Sequence, residues 1–377
     1  MSEIPAGKQN LGGTALFEKL KTYLDSLDAP DRELRVMRDH ELIWSYSSDG
    51  GSGNYWVYSV SKITTVVLAL QLVEQERIRL EDPLSRYLTE FSHMQVRTGE
   101  GLREARNPIK LVHLMSMQAG LDYDLESEGI KSAYLEHGQA ADMVDIARGI
   151  ARSPLGFEPG CGFRYSLCLD VLGAVLMSVE HTSLEAQLQE RICDRLGAGR
   201  MTYHPTEADR ARIRRQYARR EDASMEEISR NLSYLRETPF LEGGGGGLMA
   251  DVEGLSLLAD ALACGGTAAS GARILSEDSV RDMRTNRQRG KAWQDFHKIR
   301  HVRGYGYGLA VRTLMDPTLY RSPAGEFGWD GNGGGYFVCD PVHHLSIVYL
   351  QHVAGDFLSW NQRHPRIRDL VYDALNL

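Results

Sequence analysis

Cysteine is scarce in this sequence, and its distribution argues against two classes of protein. The 377 residues include five cysteines, an odd number, and no two of them form a C-x-x-C pair. Structural zinc sites and disulfide frameworks depend on paired or closely spaced cysteines, so this pattern favours neither. It is typical of reduced thiols inside a cytoplasmic protein, and we expect no bound metal and no cofactor.

Long apolar runs and an excess of basic charge are also absent. No stretch reaches the ~18 apolar residues of a membrane-spanning helix, and the N-terminal residues lack the basic-then-apolar pattern of a secretory signal. The net charge is −8, which gives no general attraction to nucleic acid or anionic membranes. The basic run over residues 208–220 is flanked by acidic residues and is typical of a solvated face. We therefore expect neither nucleic acid nor membrane as a partner, and the oligomeric state is left open.

What the chain does contain is typical of a folded globular protein, with 42% hydrophobic and 25% charged residues. Strand-like patterns occur over residues 33–47 and again in "YGYGLAVR", "GGYFVCDP" and "LSIVYLQHV" near the C-terminus. Segregated runs of strands and helices favour an α+β domain with an inserted helical lobe. We predict one domain over residues 1–377, with an α/β lobe from 1–82 and 242–377 and a helical lobe over 83–241.

Four local patterns lead to more specific predictions. Residues 14–27 have the apolar spacing of an amphipathic helix, and Asp39-His40 predicts a tight turn between two strands. The apolar stretch "IKLVHLMSMQAGL" predicts one helix that ends at Gly120. We interpret the five glycines 243–247 as a flexible connector, because no Lys-Ser/Thr pair follows them as in a phosphate-binding loop.

One of only eight lysines lies near the start of a long apolar helical pattern, "YWVYSVSKITTVVLALQLVEQ". Ser59 and Lys62 are three residues apart and would share one face of a helix, one turn from each other. A serine hydroxyl needs a base to become a good nucleophile. Burial and the positive end of the helix dipole would both lower the pKa of Lys62 towards the range in which an amine can act as that base.

The spacing alone leaves an ordinary structural interpretation open. An S-x-x-K pair occurs by chance in many proteins, and a serine that caps a helix beside a lysine extended towards solvent gives the same letters. Tyr165, taken alone, fits equally well a tyrosine at the edge of the core with a satisfied hydroxyl.

Three further stretches, taken with the S-x-x-K spacing, resemble a known superfamily. They are "EPGCGFRYSLCLDVLGAVL", "EGGGGGLMADVEGLSLLADAL" and "GEFGWDGNGGGYFVCDPVHHLSIVYLQH". In this order they resemble the serine β-lactamase-like hydrolase superfamily, in particular class C β-lactamases, DD-peptidases and family VIII carboxylesterases. The resemblance extends from about Arg35 to the C-terminus and includes "KITTVVLALQLVEQERIRLEDPLSRYL" and "IKLVHLMSMQAGLDY". It implies the β-lactamase/transpeptidase-like fold, a mainly antiparallel sheet flanked by helices, with the active site between two lobes.

The resemblance also implies roles for individual residues. Ser59 matches the nucleophile, and Lys62 matches the lysine of the S-x-x-K motif. Tyr165 matches the tyrosine of the Y-x-N motif, which relays protons with the lysine; a phenol near a cationic amine can have its pKa lowered and act as base or acid. The third motif falls on Trp329-Asp330-Gly331, and the backbone N–H of Asn332 would form an oxyanion hole with that of Ser59.

Two departures from the β-lactamase pattern bear on the substrate. Leu167 replaces the asparagine that holds a substrate amide in the β-lactamase and peptidase branches. Trp329 replaces a lysine that would pair with a substrate carboxylate, and we expect Asp330 beside it to repel such a carboxylate. Both changes resemble the esterase branch, whose motifs are similar to Y-S-L and W-G-G, although Asp330 departs from the usual glycine.

The leading hypothesis is therefore a cofactor-free serine hydrolase that cleaves small neutral esters through an acyl-enzyme on Ser59. Leu167, Trp329, Asp330 and Gly331 would contact the substrate. An amide-cleaving enzyme (β-lactamase, D-amino-acid peptidase or amidase) and an acyltransferase are the enzymatic alternatives. A catalytically silent ligand-binding domain on the same scaffold is the alternative outside enzymes.

Overall fold

A seven-stranded antiparallel sheet joins the two ends of the chain. The computed structural model describes residues 16–197, 200–229, 241–298 and 303–377. The strands of this sheet are β1 (Glu33–Arg38), β2 (Glu41–Ser47), β10 (Tyr305–Tyr307), β11 (Arg312–Leu314), β12 (Phe327–Asp330), β13 (Tyr336–Asp340) and β14 (Leu345–Leu350). Their order across the sheet is β10-β11-β12-β13-β14-β1-β2. The predicted α+β class is confirmed.

Short strands form smaller sheets outside this one. They are β3 (Tyr55–Trp56), β4 (Gln95–Thr98), β5 (Gly101–Glu104), β6 (Met201–Thr202), β7 (Tyr217–Arg219), β8 (Met225–Glu227), β9 (Met249–Ala250) and β15 (Val353–Ala354). Strands β4 to β8 lie within residues 83–241, so the segment predicted to be helical also holds short strand pairs. The limits of the two lobes stay a prediction.

The helices of the described residues follow one another along the chain before, between and after these strands. They are α1 (Glu18–Asp25), α2 (Ser61–Glu74), α3 (Leu111–Met115), α4 (Glu128–His137), α5 (Met143–Ile150), α6 (Cys168–Glu180), α7 (Leu184–Leu188), α8 (Asp194–Leu196), α9 (Glu207–Arg210), α10 (Val252–Ala263), α11 (Glu277–Met283), α12 (Gly290–Phe296) and α13 (His364–Leu375). A π-helical segment, Gln189–Cys193, connects α7 to α8. None of the described helices is long and apolar enough to cross a membrane.

Two of the local predictions concern the N-terminal region. The predicted helix over 14–27 corresponds to α1, while residues 14 and 15 lie outside the described residues. The tight turn is confirmed: Asp39 and His40 both have positive φ, 49° and 69°, as a two-residue hairpin turn between twisted strands requires.

The predicted helix ending at Gly120 is wrong in length, because α3 ends at Met115. Met117 adopts a left-handed conformation with φ 59°, which stops helical hydrogen bonding before Gly120. The backbone of this region bonds across the molecule instead: Arg164 N–H donates to the Met117 carbonyl (2.9 Å) and Ala310 N–H to the Met115 carbonyl (2.7 Å). Apolar periodicity cannot reveal these tertiary partners.

Helices cover both faces of the large sheet. On one face α1 and α13 pack against β1, β13 and β14, in a cluster that includes Leu24, Val36, Ile347 and Val371. On the other face α10 packs against β1, β13 and β14. Helix α2 belongs to this second, larger core and is buried from Ser61 to Leu72. A helix that is apolar on all sides must be enclosed by protein, which fixes its first residues firmly in place.

Candidate active site

The turn that carries Ser59 is held by its neighbours on both sides. Ser59 lies in a single 3₁₀ turn, Tyr58–Val60, directly before α2. Tyr58 has a left-handed conformation with φ 49°, which costs a non-glycine residue energy and persists where the surroundings impose it. Its ring stacks on Trp56 with centroids 4.4 Å apart, and its hydroxyl accepts a hydrogen bond from the Gln216 amide. The Ser61 hydroxyl donates to the Tyr58 carbonyl at 2.5 Å.

The helix-capping interpretation of Ser59 is wrong. The residue at the N-cap position of α2 is Val60, and no side chain caps the helix there. Ser59 is instead placed one residue earlier, half-buried, with its Oγ 3.1 Å from the Nζ of Lys62. The hydroxyl is therefore directed at the lysine.

Lys62 is completely buried, with 0% of its surface exposed, so it does not extend towards solvent. Its Nζ also donates to the Gly245 carbonyl and lies 4.7 Å from the centroid of the Tyr165 ring. Loss of hydration on burial lowers the pKa of the ammonium, while Tyr123, Asp170 and Cys168 act in the opposite direction. Lys62 therefore combines a lowered pKa with a hydrogen bond to Ser59, and a general base requires both properties.

Tyr165 joins this pair from the loop before α6. Its hydroxyl accepts a hydrogen bond from the Trp329 indole N–H at 2.9 Å, and it is also hydrogen-bonded to the Ser59 hydroxyl. The prediction that the pKa of this phenol is lowered is wrong: burial raises it, although the hydrogen bonds from Ser59 and Trp329 act the other way. Tyr165 is therefore neutral in the resting site and suited to give a proton rather than to hold a permanent phenolate.

The predicted oxyanion donors lie on adjacent segments. Residues 331–333 follow β12 and run against the turn before α2: a Cβ on Gly331 would overlap the Val57 carbonyl, and one on Gly333 would lie 3.1 Å from the Tyr58 ring. Only glycine permits this approach. The peptide group that carries the Asn332 N–H is held through the Gly331 carbonyl, which accepts from Gly334 N–H at 2.9 Å. The assignment of the Ser59 and Asn332 N–H groups to an oxyanion hole stays a prediction.

The glycine run 243–247 is not a flexible connector, and that interpretation is wrong. Its carbonyls are acceptors for buried side chains: Gly244 O accepts from the Thr65 hydroxyl at 2.8 Å, and Gly245 O accepts from Lys62. A Cβ on Gly244 would lie 2.5 Å from the Leu169 carbonyl, and one on Gly245 would overlap the Asp170 carboxylate. The run is glycine because the loop is wedged between α2 and α6.

Asp170 is a residue of this site that the sequence reasoning missed. It lies in the first turn of α6, and its Oδ1 accepts a hydrogen bond from Gly245 N–H at 3.0 Å. A single acidic residue in the apolar stretch "SLCLDVLGAVL" was the available signal. That signal alone does not separate a surface position from a buried one.

The residues predicted to contact substrate have different surroundings. Leu167 and Trp329 are each 4% exposed, and Gly331 is buried. Trp329 packs on Tyr165, with centroids 5.5 Å apart, and meets Tyr307 edge-on at 5.0 Å. The more accessible ring near the lysine is Tyr123, which is 43% exposed, stacks on Tyr165 and lies 5.8 Å from Lys62 Nζ.

Asp330 does not face this site, so its predicted repulsion of a substrate carboxylate has no support in the structure. Its Oδ2 is 2.5 Å from Nη1 of Arg312, which is 3% exposed, and its Oδ1 is 2.9 Å from Nδ1 of His364. Successive residues of a strand point to opposite faces, so the side chains of Trp329 and Asp330 cannot both face Ser59. The negative charge is neutralised inside the protein.

One group of possible metal ligands occurs among the described residues, and it lies on other elements. His40, Asp260 and Cys264 bring their donor atoms within 4.8 Å of one another at the β1–β2 turn and the end of α10. The Oδ1 atom of Asp260 accepts a hydrogen bond from the backbone N–H of His40 at 3.2 Å, and its Oδ2 atom lies 2.7 Å from Nδ1 of the His40 ring. This contact ties the hairpin to the helix.

Known proteins share both the sequence pattern and the fold. Esterase EstB of Burkholderia gladioli is 27% identical over 339 residues, which are 83% of this chain and 81% of that protein. An uncharacterized protein of Mycobacterium tuberculosis (strain CDC 1551 / Oshkosh) is 28% identical over 310 residues, 78% of this chain and 76% of the relative.

Among solved structures, EstCE1, described as a hydrolase with promiscuous acyltransferase activity, superposes with a TM-score of 0.77 at 24% identity over 96% of this chain and 100% of that one. This likeness confirms the predicted β-lactamase/transpeptidase-like fold. The profile of the family described as Beta-lactamase matches residues 55–372, which include Ser59, Lys62, Tyr165 and Trp329. The chain therefore belongs to the beta-lactamase family of hydrolases and related enzymes.

Proposed function

We propose that this protein is a serine hydrolase that cleaves esters of small neutral substrates through an acyl-enzyme on Ser59. The observation that carries the proposal is the contact between Ser59 Oγ and Lys62 Nζ, 3.1 Å apart, at a lysine with no exposed surface. The hydrogen bond from Lys62 to the Gly245 carbonyl places the amine beside Ser59. The amine has the placement and the proton affinity that nucleophilic catalysis by serine requires.

Acylation would begin with Lys62 as the neutral amine. Lys62 takes the proton of the Ser59 hydroxyl while Oγ attacks the ester carbonyl, and a tetrahedral intermediate forms with its negative charge on the former carbonyl oxygen. The backbone N–H groups of Ser59 and Asn332 would stabilise that oxyanion, at about 3 kcal/mol for each donor. Their placement on adjacent, glycine-lined segments supports this role.

Tyr165 would complete the proton transfer. Its neutral phenol gives a proton to the leaving alcohol oxygen, and the Lys62 ammonium, beside the Tyr165 ring, returns one to the phenolate. Both residues are then restored, the alcohol leaves, and Ser59 carries the acyl group. Water attacks the acyl-enzyme in the second half of the cycle, with the same residues acting in reverse order.

The preference for neutral esters is supported by the groups around Trp329. Its indole N–H is directed at Tyr165, so the third motif supplies an aromatic surface there in place of a cation. The buried cation of the same region, Arg312, is paired with Asp330 on the other face of the strand. Leu167 has no group that could hold a substrate amide.

Acyl transfer to an alcohol in place of water is a second candidate. It is favoured by the exposed ring of Tyr123 beside Lys62, which could support an apolar acceptor at the point where water would otherwise attack. EstCE1 carries acyltransferase activity in its description, which motivates the same test here. Product analysis with and without added alcohols separates the two outcomes.

The proposal is tested by labelling the protein with a fluorophosphonate and mapping the adduct by mass spectrometry. We expect one adduct on Ser59, and none in Ser59→Ala, which should remain folded. Ser92→Ala, an exposed serine elsewhere, is the matched control and should be labelled normally. A panel of short-chain esters, cephalosporins and D-aminoacyl amides then identifies the bond that is cleaved. An adduct on Ser61, Ser116 or Ser166, or no labelling at all, contradicts the proposal.

A further inference from the structure

Asp170 is connected to the catalytic lysine through one residue of the glycine loop. Its Oδ1 accepts the Gly245 N–H at 3.0 Å, and the carbonyl of the same residue accepts a hydrogen bond from Lys62 Nζ. The peptide groups on both sides of Gly245 are thus held by two side chains of opposite charge. No larger residue fits at Gly245, since its Cβ would overlap the Asp170 carboxylate.

We propose that Asp170 is a positioning residue that places the amine of Lys62 through Gly245 and whose negative charge sets how readily Lys62 releases its proton. This inference rests on the proposed function, in which Lys62 is the base. Lys62 is fully buried and Asp170 is partly buried, so water screens the interaction between their charges less than it would at the protein surface.

The carboxylate is stabilised where it lies. Asp170 is in the first turn of α6, near the positive end of the helix dipole, and it has the Gly245 N–H as a donor. Burial raises its pKa, whereas Lys62 and the hydrogen bond from Gly245 lower it. The net effect is a raised pKa of the Asp170 carboxyl, while the helix N-terminus and the Gly245 donor favour its charged form, whose field would act on Lys62.

The lysine therefore experiences two opposed effects. Burial lowers the pKa of Lys62, and Tyr123, Asp170 and Cys168 act in the opposite direction. The other titratable groups near Lys62 are Tyr123, Tyr165 and Cys168, and Tyr203 also lies within the field of Asp170. All of these are neutral at ordinary pH because burial raises the pKa of each. Asp170 is then the anion that limits the effect of burial on the base.

The first test measures Lys62 directly and does not require activity. The protein has eight lysines, so the side-chain NMR signals of selectively labelled lysine can be resolved, and the Lys62 signal is identified by its loss in Lys62→Met. We expect the titration midpoint of Lys62 to move to lower pH in Asp170→Asn. The matched control is Asp260→Asn, which removes a buried carboxylate, 1% exposed, on α10, and should leave the Lys62 midpoint in place.

The second test uses ester hydrolysis. In Asp170→Asn an acceptor for Gly245 N–H remains, so the plateau of kcat/KM should fall less than about tenfold while the acidic limb of the pH profile moves to lower pH. Asp170→Ala loses the acceptor as well, and kcat should fall by about 100-fold or more. If Asp170 had a purely structural role, its substitution would lower kcat without shifting the acidic limb of the pH profile.

Coupling through Gly245 gives a further check. In the wild-type background, Gly245→Ala should strongly lower kcat/KM for ester hydrolysis, because the new Cβ overlaps the Asp170 carboxylate. In the Asp170→Ala background that overlap is absent, so adding Gly245→Ala should lower kcat/KM for ester hydrolysis much less. Such a non-additive effect is expected of residues in contact. Additive losses would contradict the connection.

Failure of this inference differs from failure of the proposed function. If Ser59 is acylated but the Lys62 midpoint is the same in wild type and Asp170→Asn, the inference is wrong and the hydrolase proposal stands. If the midpoint moves but no acylation of Ser59 is found, the proposed function is wrong and the coupling between Asp170 and Lys62 stands.

Discussion

Trp329 and Asp330 are consecutive residues of β12, and their side chains serve opposite faces of the sheet. The Trp329 indole N–H donates to the Tyr165 hydroxyl beside Ser59 at 2.9 Å, whereas Asp330 contacts Arg312 and His364 in the interior. One strand thus contributes an aromatic wall to the active site and an anion to a buried ion pair. We therefore expect substrate preference to depend on Trp329 and Leu167 and not on Asp330, whose charge is paired with Arg312.

The first prediction concerns the stability of this pair. Asp330→Ala leaves Arg312, which is 3% exposed, without its carboxylate partner. Breaking a buried ion pair from one side costs about 3–5 kcal/mol in the free energy of unfolding. Urea denaturation measures the change. Asp278→Ala is the control, because it breaks an exposed ion pair with Arg281 and should not move the midpoint. Equal effects of the two substitutions would contradict the importance of burial.

The second prediction concerns Lys62 as a base. Lys62→Arg keeps the positive charge, but a guanidinium does not deprotonate in proteins. We expect kcat/KM for ester hydrolysis to fall by at least ~10³-fold, which combines lost acid–base catalysis with misalignment. Lys110→Arg, which preserves an exposed pair with Glu81, should retain full activity. Near-normal hydrolysis by Lys62→Arg would show that another group removes the Ser59 proton.

The third prediction concerns the glycine loop. Gly244→Ala places a Cβ 2.5 Å from the Leu169 carbonyl and 3.1 Å from Thr65 Cγ2, in a loop that also holds Lys62. Overpacking of this kind costs about 1–3 kcal/mol, and the displaced loop should slow fluorophosphonate labelling of Ser59. Gly99→Ala is the control, since its Cβ would have no atom within 4 Å. A normal labelling rate in Gly244→Ala would indicate that the loop does not support the site.

The proximity of Ser59 and Lys62 was predictable from their short spacing in the sequence, whereas Tyr165 was predicted through the family resemblance. Ser59 and Lys62 are one turn apart, and the structure brings them within 3.1 Å with Tyr165 against them. The antiparallel strands near both ends also followed from alternation. The spacing of Ser59 and Lys62 and the alternation of the strands are local features, and local geometry fixes them.

Features that depend on tertiary neighbours could not be predicted in the same way. The face of Asp330 is set by the register of β12, and a strand displaced by one residue would reverse it. Five glycines have no side-chain pattern that distinguishes a packed loop from a mobile one. The raised pKa of Tyr165 results from burial, which the motif does not contain. The place of Asp170 in this site depends on its hydrogen bond to Gly245, a tertiary contact that the sequence does not show.

The fourth prediction concerns substrate preference. A neutral ester with an apolar acyl or alcohol group would bury surface against the rings of Tyr123 and Trp329, at about 25 cal/mol per Å². The carboxylate of benzylpenicillin would find no cation at Trp329, and its acyl-side amide would find no partner at Leu167; an unpaired buried amide costs about 1–3 kcal/mol. We expect kcat/KM for neutral short-chain esters to exceed that for benzylpenicillin by more than ~100-fold, about 2.7 kcal/mol in barrier.

Substitution at the same two positions tests the physical reason for this preference. Trp329→Lys combined with Leu167→Asn supplies a cation and an amide partner, so it should narrow the gap between esters and benzylpenicillin. Trp293→Lys on α12 adds the same charge at a partly exposed tryptophan, 37% exposed, and should leave the gap unchanged. If the wild-type protein hydrolyses benzylpenicillin as fast as esters, the argument from Trp329 and Leu167 is wrong, and an arginine from another part of the chain must reach the substrate carboxylate.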